Sequence, residues 1–200
     1  MSDEMTWENC LQAMRPFNDH YSMAHEHHPI IYQYLTTLCP MGGTVVELGV
    51  CNGRTFALLV YVARFHSLRV IGIDTFLLQR PETGDDTEEM VRAKLDHLDA
   101  PYWLFNCNTH DFDTSRLAGP IDFLIIDAGH DEANVRPDCE KYLPLVSPGG
   151  VVVFHDWPAN LSRDDAHWAV RHYGELHTAH WDDLYFRTGL KIRQKPKEAR

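Results

Sequence analysis

Apolar positions along the chain fall into short blocks of two kinds, and the blocks alternate. Thr44 to Leu48 reads as a strand, and Thr55 to His66 as an apolar helix. Arg69 to Ile73 predicts a second strand, ending at Asp74. Glu88 to Leu98 predicts a helix, with Asp86 or Thr87 as its cap. Tyr102 to Asn106 reads as a short third strand. Asp122 to Ile126 is a near-continuous apolar run, the pattern of a strand buried on both faces. A helix is expected from about Asp131 to Leu145, then a turn at Ser147-Pro148-Gly149-Gly150 and a fifth strand over Val151 to Phe154. Asp164 to Tyr173 reads as helical. Leu176 to Trp181 and Leu184 to Ile192 read as a closing strand pair, with one antiparallel member at an edge. Residues 1–40 predict an irregular helical segment, in which Ile30 to Leu38 has one apolar face and stops at Cys39-Pro40.

Strands alternating with helices imply a parallel sheet covered on both sides. The expected fold is therefore α/β: a doubly wound, mostly parallel seven-stranded sheet with an N-terminal helical segment. The expected organisation is one domain, with 1–40 the helical segment, 41–193 the cofactor-binding body and 194–200 a frayed tail.

Composition narrows the partners. A hydrophobic fraction of 44% supports a sizeable core. A formal net charge of -11 argues against nucleic acid and against anionic membranes, since both need a basic surface. No apolar run is long enough to cross a bilayer, and Met1-Ser2-Asp3-Glu4 does not read as a signal peptide. Five cysteines with no CxxC pair read as reduced thiols, which points to a cytoplasmic protein. A small-molecule partner is expected, and a homodimer stays open.

The segment Val45-Val46-Glu47-Leu48-Gly49-Val50-Cys51-Asn52-Gly53-Arg54-Thr55 ends a strand in an acid and a glycine turn and then opens a helix. That is the layout of a nucleotide-type cofactor site at the carboxyl end of a parallel strand. Cys51 stands where a GxGxxG fingerprint has its second glycine, and no GxxxxGK[ST] loop occurs, so a phosphate is not the expected ligand. S-adenosylmethionine has no phosphate. It needs close backbone approach, which Gly49 and Gly53 allow, and an acid near its amino group, which Glu47 supplies. Asp74 can accept both hydroxyl hydrogens of a ribose, or cap the segment that follows it. Asn108, Thr109 and His110 follow the third strand, where an adenine edge would lie.

A second acid closes a buried strand at Asp127-Ala128-Gly129-His130, and a third follows Val151-Val152-Val153-Phe154 at His155-Asp156-Trp157. With the first motif, these residues resemble the class I S-adenosylmethionine-dependent methyltransferases. The likeness is to the small-molecule O-methyltransferase branch that includes macrocin-type sugar methyltransferases and, more distantly, catechol O-methyltransferase. It spans roughly Gly43 to Trp157. It implies a Rossmann-like methyltransferase fold and methyl transfer to a hydroxyl of a small molecule. The family's cofactor positions fall on Glu47, Gly49, Gly53 and Asp74; Asn108, by its place after the third strand, and Asp127 are further expected cofactor contacts. Metal positions fall on Asp127, His155 and Asp156, for Mg, Mn, Fe or Zn.

Two departures stand out. His155 occupies one place of a pair that is usually Asp-Asp or Asp-Asn, and Gly129 stands where some sugar methyltransferases carry a basic acid. His130, three residues after Asp127, is the expected proton acceptor, with Asp127 orienting it or next in line. The bare residues allow either a cation or a metal-free acid–base cluster at one rim.

Other readings stay open. An NAD-dependent oxidoreductase or epimerase is opposed by Cys51 and by the lack of a Tyr-x-x-x-Lys pair. A non-catalytic S-adenosylmethionine-binding subunit is the third class. His20, Tyr21, His25, His27 and His28 fit no compact zinc spacing and read as a solvated helical face. Trp157, His167, Trp168 and Tyr173 suit either a pocket wall or the core.

Overall fold

The computed structural model describes residues 4–17, 25–77, 87–159, 161–163 and 165–197. Helices α1 (Trp7–Met14) and α2 (His28–Leu38) open the chain. Thr6 caps α1 by accepting the amide of Asn9, and Pro29 stands in the first turn of α2, where a missing N–H costs nothing. The α/β body follows as β1 (Thr44–Leu48), α3 (Arg54–His66), β2 (Arg69–Asp74), α4 (Glu88–Leu95), β3 (Tyr102–Asn106), β4 (Ile121–Ile126), α5 (Glu132–Tyr142) and β5 (Val146–His155). Helix α6 (Trp168–Thr178) and the hairpin β6 (Asp182–Arg187) and β7 (Leu190–Gln194) complete it.

The seven strands form one sheet in the order β3-β2-β1-β4-β5-β7-β6. Strands β1 to β5 are parallel, and β7 runs antiparallel to both β5 and β6. Alternate residues of each strand face opposite sides, so the sheet divides the core in two. Val45, Val70, Ile125 and Val153 face α1, α2 and α3, and Val46, Ile71, Leu124 and Val152 face α5 and α6. Helix α3 is buried along Phe56–Ala63, because α1 and α2 cover the side it turns away from the sheet. The doubly wound, seven-stranded expectation is met.

Several boundaries differ. The turn expected before the fifth strand, Ser147 to Gly150, lies inside it instead: β5 begins at Val146, and the four residues bulge out where the pairing passes from Ile121–Val146 to Phe123–Val151. Leu176 to Thr178 are the last turn of α6, not a strand. Buried Ala169, Val170, Tyr173, Gly174 and Thr178 follow helical spacing, and Leu176 is a 65% exposed residue whose apolar character misleads a strand reading. The stretch Leu184 to Ile192 contains a turn, because Gly189 adopts φ +91 between paired Arg187 and Leu190. The antiparallel strand is not the edge; β6 lies outside it. Gln194 belongs to β7, and its side chain bonds the Gly149 carbonyl at 2.8 Å, so the expected tail is docked at its start. His20, Tyr21 and the loop 81–86, with the candidate cap Asp86, lie outside the described residues. Thr87 caps α4.

Candidate active site

Strand order reverses between β1 and β4, and the crevice outside their carboxyl ends is where such sheets bind ligands. Every sequence-predicted site residue lies on or next to that rim. Gly49 has φ +86, and a Cβ there would run into the Asp127 carbonyl. Its N–H donates to Ile73 O at 3.0 Å, while Asp127 N–H donates to Leu48 O at 2.9 Å. The ends of β1, β2 and β4 are thereby tied together. Gly53 opens α3 at φ +85, and a Cβ there would lie 2.7 Å from Val91 Cγ1.

Asp74 is committed to this turn. One carboxylate oxygen accepts the amides of Val50 at 2.7 Å and Cys51 at 2.8 Å, and the other accepts Phe76 N–H at 2.7 Å. Cys51 sits at φ +51, a left-handed conformation unusual for a side-chain-bearing residue, and this carboxylate holds its amide there. A carboxylate has about four acceptor positions, so bidentate ribose binding would displace one amide.

Glu47 is 1% exposed, and its Oε2 has no hydrogen-bond partner. Burial, with the nearby Asp127 and Asp74 charges, pushes its carboxyl well above the ordinary range, which favours the neutral form. Asn108 is exposed after β3, with its side-chain oxygen accepting His110 N–H at 2.8 Å. The loop beyond it is pinned by Lys141 of α5, whose ammonium donates to the carbonyls of Thr109, His110 and Phe112.

Beyond β4 and β5, Asp127, His130, His155 and Asp156 converge, each offering one donor atom within 4.8 Å of the others. His155 Nδ1 lies 2.8 Å from Asp127 Oδ1 and 3.2 Å from Asp156 Oδ2. His130 Nε2 lies 2.9 Å from Asp156 Oδ2 and 3.6 Å from Asp127 Oδ1. Nitrogen and oxygen alternate around a closed ring. The His130 Nε2 contact is close but not aligned as a hydrogen bond, and the atom is enclosed. Asp156 holds its place at φ +53, outside the usual range for a residue other than glycine.

Burial alone would lower both histidines, but the two carboxylates outweigh it, pushing His130 up to about 9 and His155 up to about 10. Burial would raise Asp156, yet the two imidazoles hold it well below the carboxylate range. His130 is thus a stronger base than a free histidine of about 6.5, because two acids, not one, face its ring. Nor does His130 cap α5; Asp131 does, accepting Asn134 N–H at 3.0 Å.

The histidines at the start of α2 are not a solvated face. His27 is 3% and His28 1% exposed, and only His25 of the described three faces solvent. His27 lays its ring edge-on to His155, with centroids 5.6 Å apart, and both its nitrogens lack partners. His28 Nε2 meets Thr55 Oγ1 at 3.2 Å. No spacing in the sequence signals these contacts, because they cross from the N-terminal segment to β5 and α3. The four aromatic candidates divide: Trp157 and Tyr173 are core residues, whereas His167 sets its ring edge-on to His130 at 5.0 Å. Trp168 is partly buried beneath the Arg163 guanidinium.

A doubly wound sheet with a glycine turn after β1 and acids at the ends of β1, β2 and β4 is the layout of a nucleotide-type cofactor site in α/β proteins. The chain belongs to the methyltransferase domain family, whose model matches residues 46–157. The oxidoreductase and non-catalytic expectations have no support from that match. No curated protein matches the chain in sequence. Among solved structures, the O-methyltransferase NovP is similar at 20% identity and a TM-score of 0.69, over 90% of this chain and 83% of that one. CalS11, a TDP-rhamnose 3'-O-methyltransferase, is similar at 15% identity and a TM-score of 0.65, over 96% and 88%. A putative O-methyltransferase from Klebsiella pneumoniae is similar at 12% identity and a TM-score of 0.65, over 98% and 92%. At these identities the likeness is one of fold.

Proposed function

We propose that this methyltransferase moves the methyl group of S-adenosylmethionine to a hydroxyl of a small molecule. Glu47 carries the cofactor reading. A buried carboxyl oxygen with no partner is costly, and the cofactor's ammonium is the kind of group that would complete it. Gly49 and Gly53 keep the turn open to the methionine part. Asp74 reaches the ribose while splinting that turn, and Asn108 borders the adenine. Asp127 stands where the cofactor and acceptor meet. The O-methyltransferase names of the similar folds favour oxygen as the acceptor atom.

In-line attack on the sulfonium methyl needs positioning and loss of one proton. The quartet at the rim is the place for that proton. Without an ion, His130 is its acceptor and Asp127 orients it, with the basic form present only as pH rises through about 9. A second reading is favoured by the unaligned, enclosed His130 nitrogen. Asp127, His155 and Asp156 then hold a divalent cation, which would acidify the acceptor hydroxyl when bound.

Calorimetry with S-adenosylhomocysteine tests the cofactor. Methyl-labelled S-adenosylmethionine with a panel of hydroxylated sugars and phenols tests the transfer. Binding with an O-methylated product is expected, whereas no binding, or methyl on nitrogen, overturns the reading. The -11 charge favours a small acceptor over nucleic acid. Among the described residues, no helix is long and apolar enough to cross a membrane. A cytoplasmic site of action and a homodimer are proposals on the same footing.

A further inference from the structure

The donor set at the rim does not suit magnesium. That ion takes oxygen ligands, keeps several waters and tolerates imidazole poorly. Here two of the four converging donors are imidazole nitrogens. The oxygen and nitrogen atoms alternate with neighbouring separations of 2.8, 3.2, 2.9 and 3.6 Å. Donors about 2.0–2.2 Å from a common ion in a tetrahedral site stand about 3.3–3.6 Å apart, so each neighbouring pair is within about half an ångström of the separation such an ion imposes. Each ring also meets another imidazole edge-on, His155 with His27 and His130 with His167, which packs the two rings in place.

We propose that Asp127, His130, His155 and Asp156 form a mixed two-histidine, two-aspartate centre for a transition-metal ion of the zinc, manganese or ferrous type. His130 is its fourth donor. The inference deepens the cation reading above and rests on it. It assigns His130 from this chain's own geometry, since that nitrogen is enclosed, faces both carboxylates and has no aligned partner. A nitrogen that holds an ion holds no proton, so in the loaded protein the donor role replaces the base role.

The test uses the full chain, stripped with chelator and desalted. Zn²⁺, Mn²⁺ and Mg²⁺ are titrated separately by calorimetry, and Co²⁺ is followed by its visible absorption. One Zn²⁺ or Co²⁺ per chain is expected, with affinity about a hundredfold or more above that of Mg²⁺. His130→Ala and His130→Asn should each weaken Zn²⁺ and Co²⁺ by more than the roughly tenfold to hundredfold that loss of an outer contact costs, and should change the Co²⁺ spectrum. S-adenosylhomocysteine titrations on the same samples report folding and the cofactor reading independently of the metal. The proposal is overturned if no ion binds, if Mg²⁺ binds as tightly as Zn²⁺, or if both His130 variants bind Co²⁺ with unchanged affinity and spectrum.

Discussion

His155 Nδ1 lies 2.8 Å from Asp127 Oδ1, and this contact joins the carboxyl ends of β5 and β4. Asp156 and His130 extend it into a ring of two acids and two bases. The histidines sit above their ordinary 6.5, so the stability they lend is complete below that pH and is lost as pH rises through about 9 and 10. Asp156 sits below its ordinary 3.8, so its share is present above that value and lost in acid. In chelator, Asp156→Asn should therefore cost about 1–3 kcal/mol near pH 6, or roughly 2–4 °C per kcal/mol for a chain of this size. The gap in melting temperature should shrink toward pH 10. A gap that stays constant with pH means the ring is not ion-paired.

The same shift governs rate in the metal-free protein. Only neutral His130 accepts a proton, so turnover in chelator should climb as pH rises through about 9. His130→Gln should flatten that rise and cut turnover by about a hundredfold to ten-thousandfold, the usual worth of a positioned base. An unchanged pH–rate profile in the variant assigns the proton to another group.

Burial favours the neutral form of Glu47 while the crevice holds no ligand, so Glu47→Gln should leave the melting temperature nearly unchanged. Binding of S-adenosylhomocysteine should nevertheless fall about tenfold to a hundredfold, from loss of one charge-assisted hydrogen bond of about 1.5–3 kcal/mol. Calorimetry in buffers of different ionisation enthalpy should also detect proton release on binding to the parent chain. Equal affinity in the two proteins would remove Glu47 from the cofactor site.

Asp74 has a double duty, which sets it apart from Glu47. Asp74→Ala strips the partner from the amides of Val50, Cys51 and Phe76. It should lower stability by about 2 kcal/mol or more, roughly 4–8 °C, as well as weaken S-adenosylhomocysteine. Asp74→Asn retains one oxygen and should fall between the two. Weakened binding with an unchanged melting temperature would show that the turn does not need the carboxylate.

Gly49 admits no side chain, because the Asp127 backbone occupies the space a Cβ would take and its φ is left-handed. Gly49→Ala should therefore destabilise the chain beyond the loss of any ligand contact. Chemical denaturation without cofactor measures it, and a change below about 1 kcal/mol would contradict the close approach.

The central strands and the acid–glycine turn were legible in the chain itself. Buried strands carry near-continuous apolar runs, and a strand-to-helix turn advertises its glycines and terminal acids locally. That local information was enough for the sheet, the family and the rim on which Glu47, Gly49, Asp74, Asp127 and His155-Asp156 stand. It failed at α6, where exposed Leu176 imitated a strand residue, and at the hairpin, where Gly189 cut a run that read as continuous. Only the tertiary structure decided what the side chains at the rim do. The Asp74 carboxylate is spent on backbone amides 23 and 24 residues earlier in the chain. His27 is brought from before α2 to the ring of His155. His130 faces two acids, not one, and its basicity follows from both. Periodicity records which face of an element is buried; the charge, partners and donor geometry of a residue depend on groups distant in sequence, which only folding brings within a few ångströms.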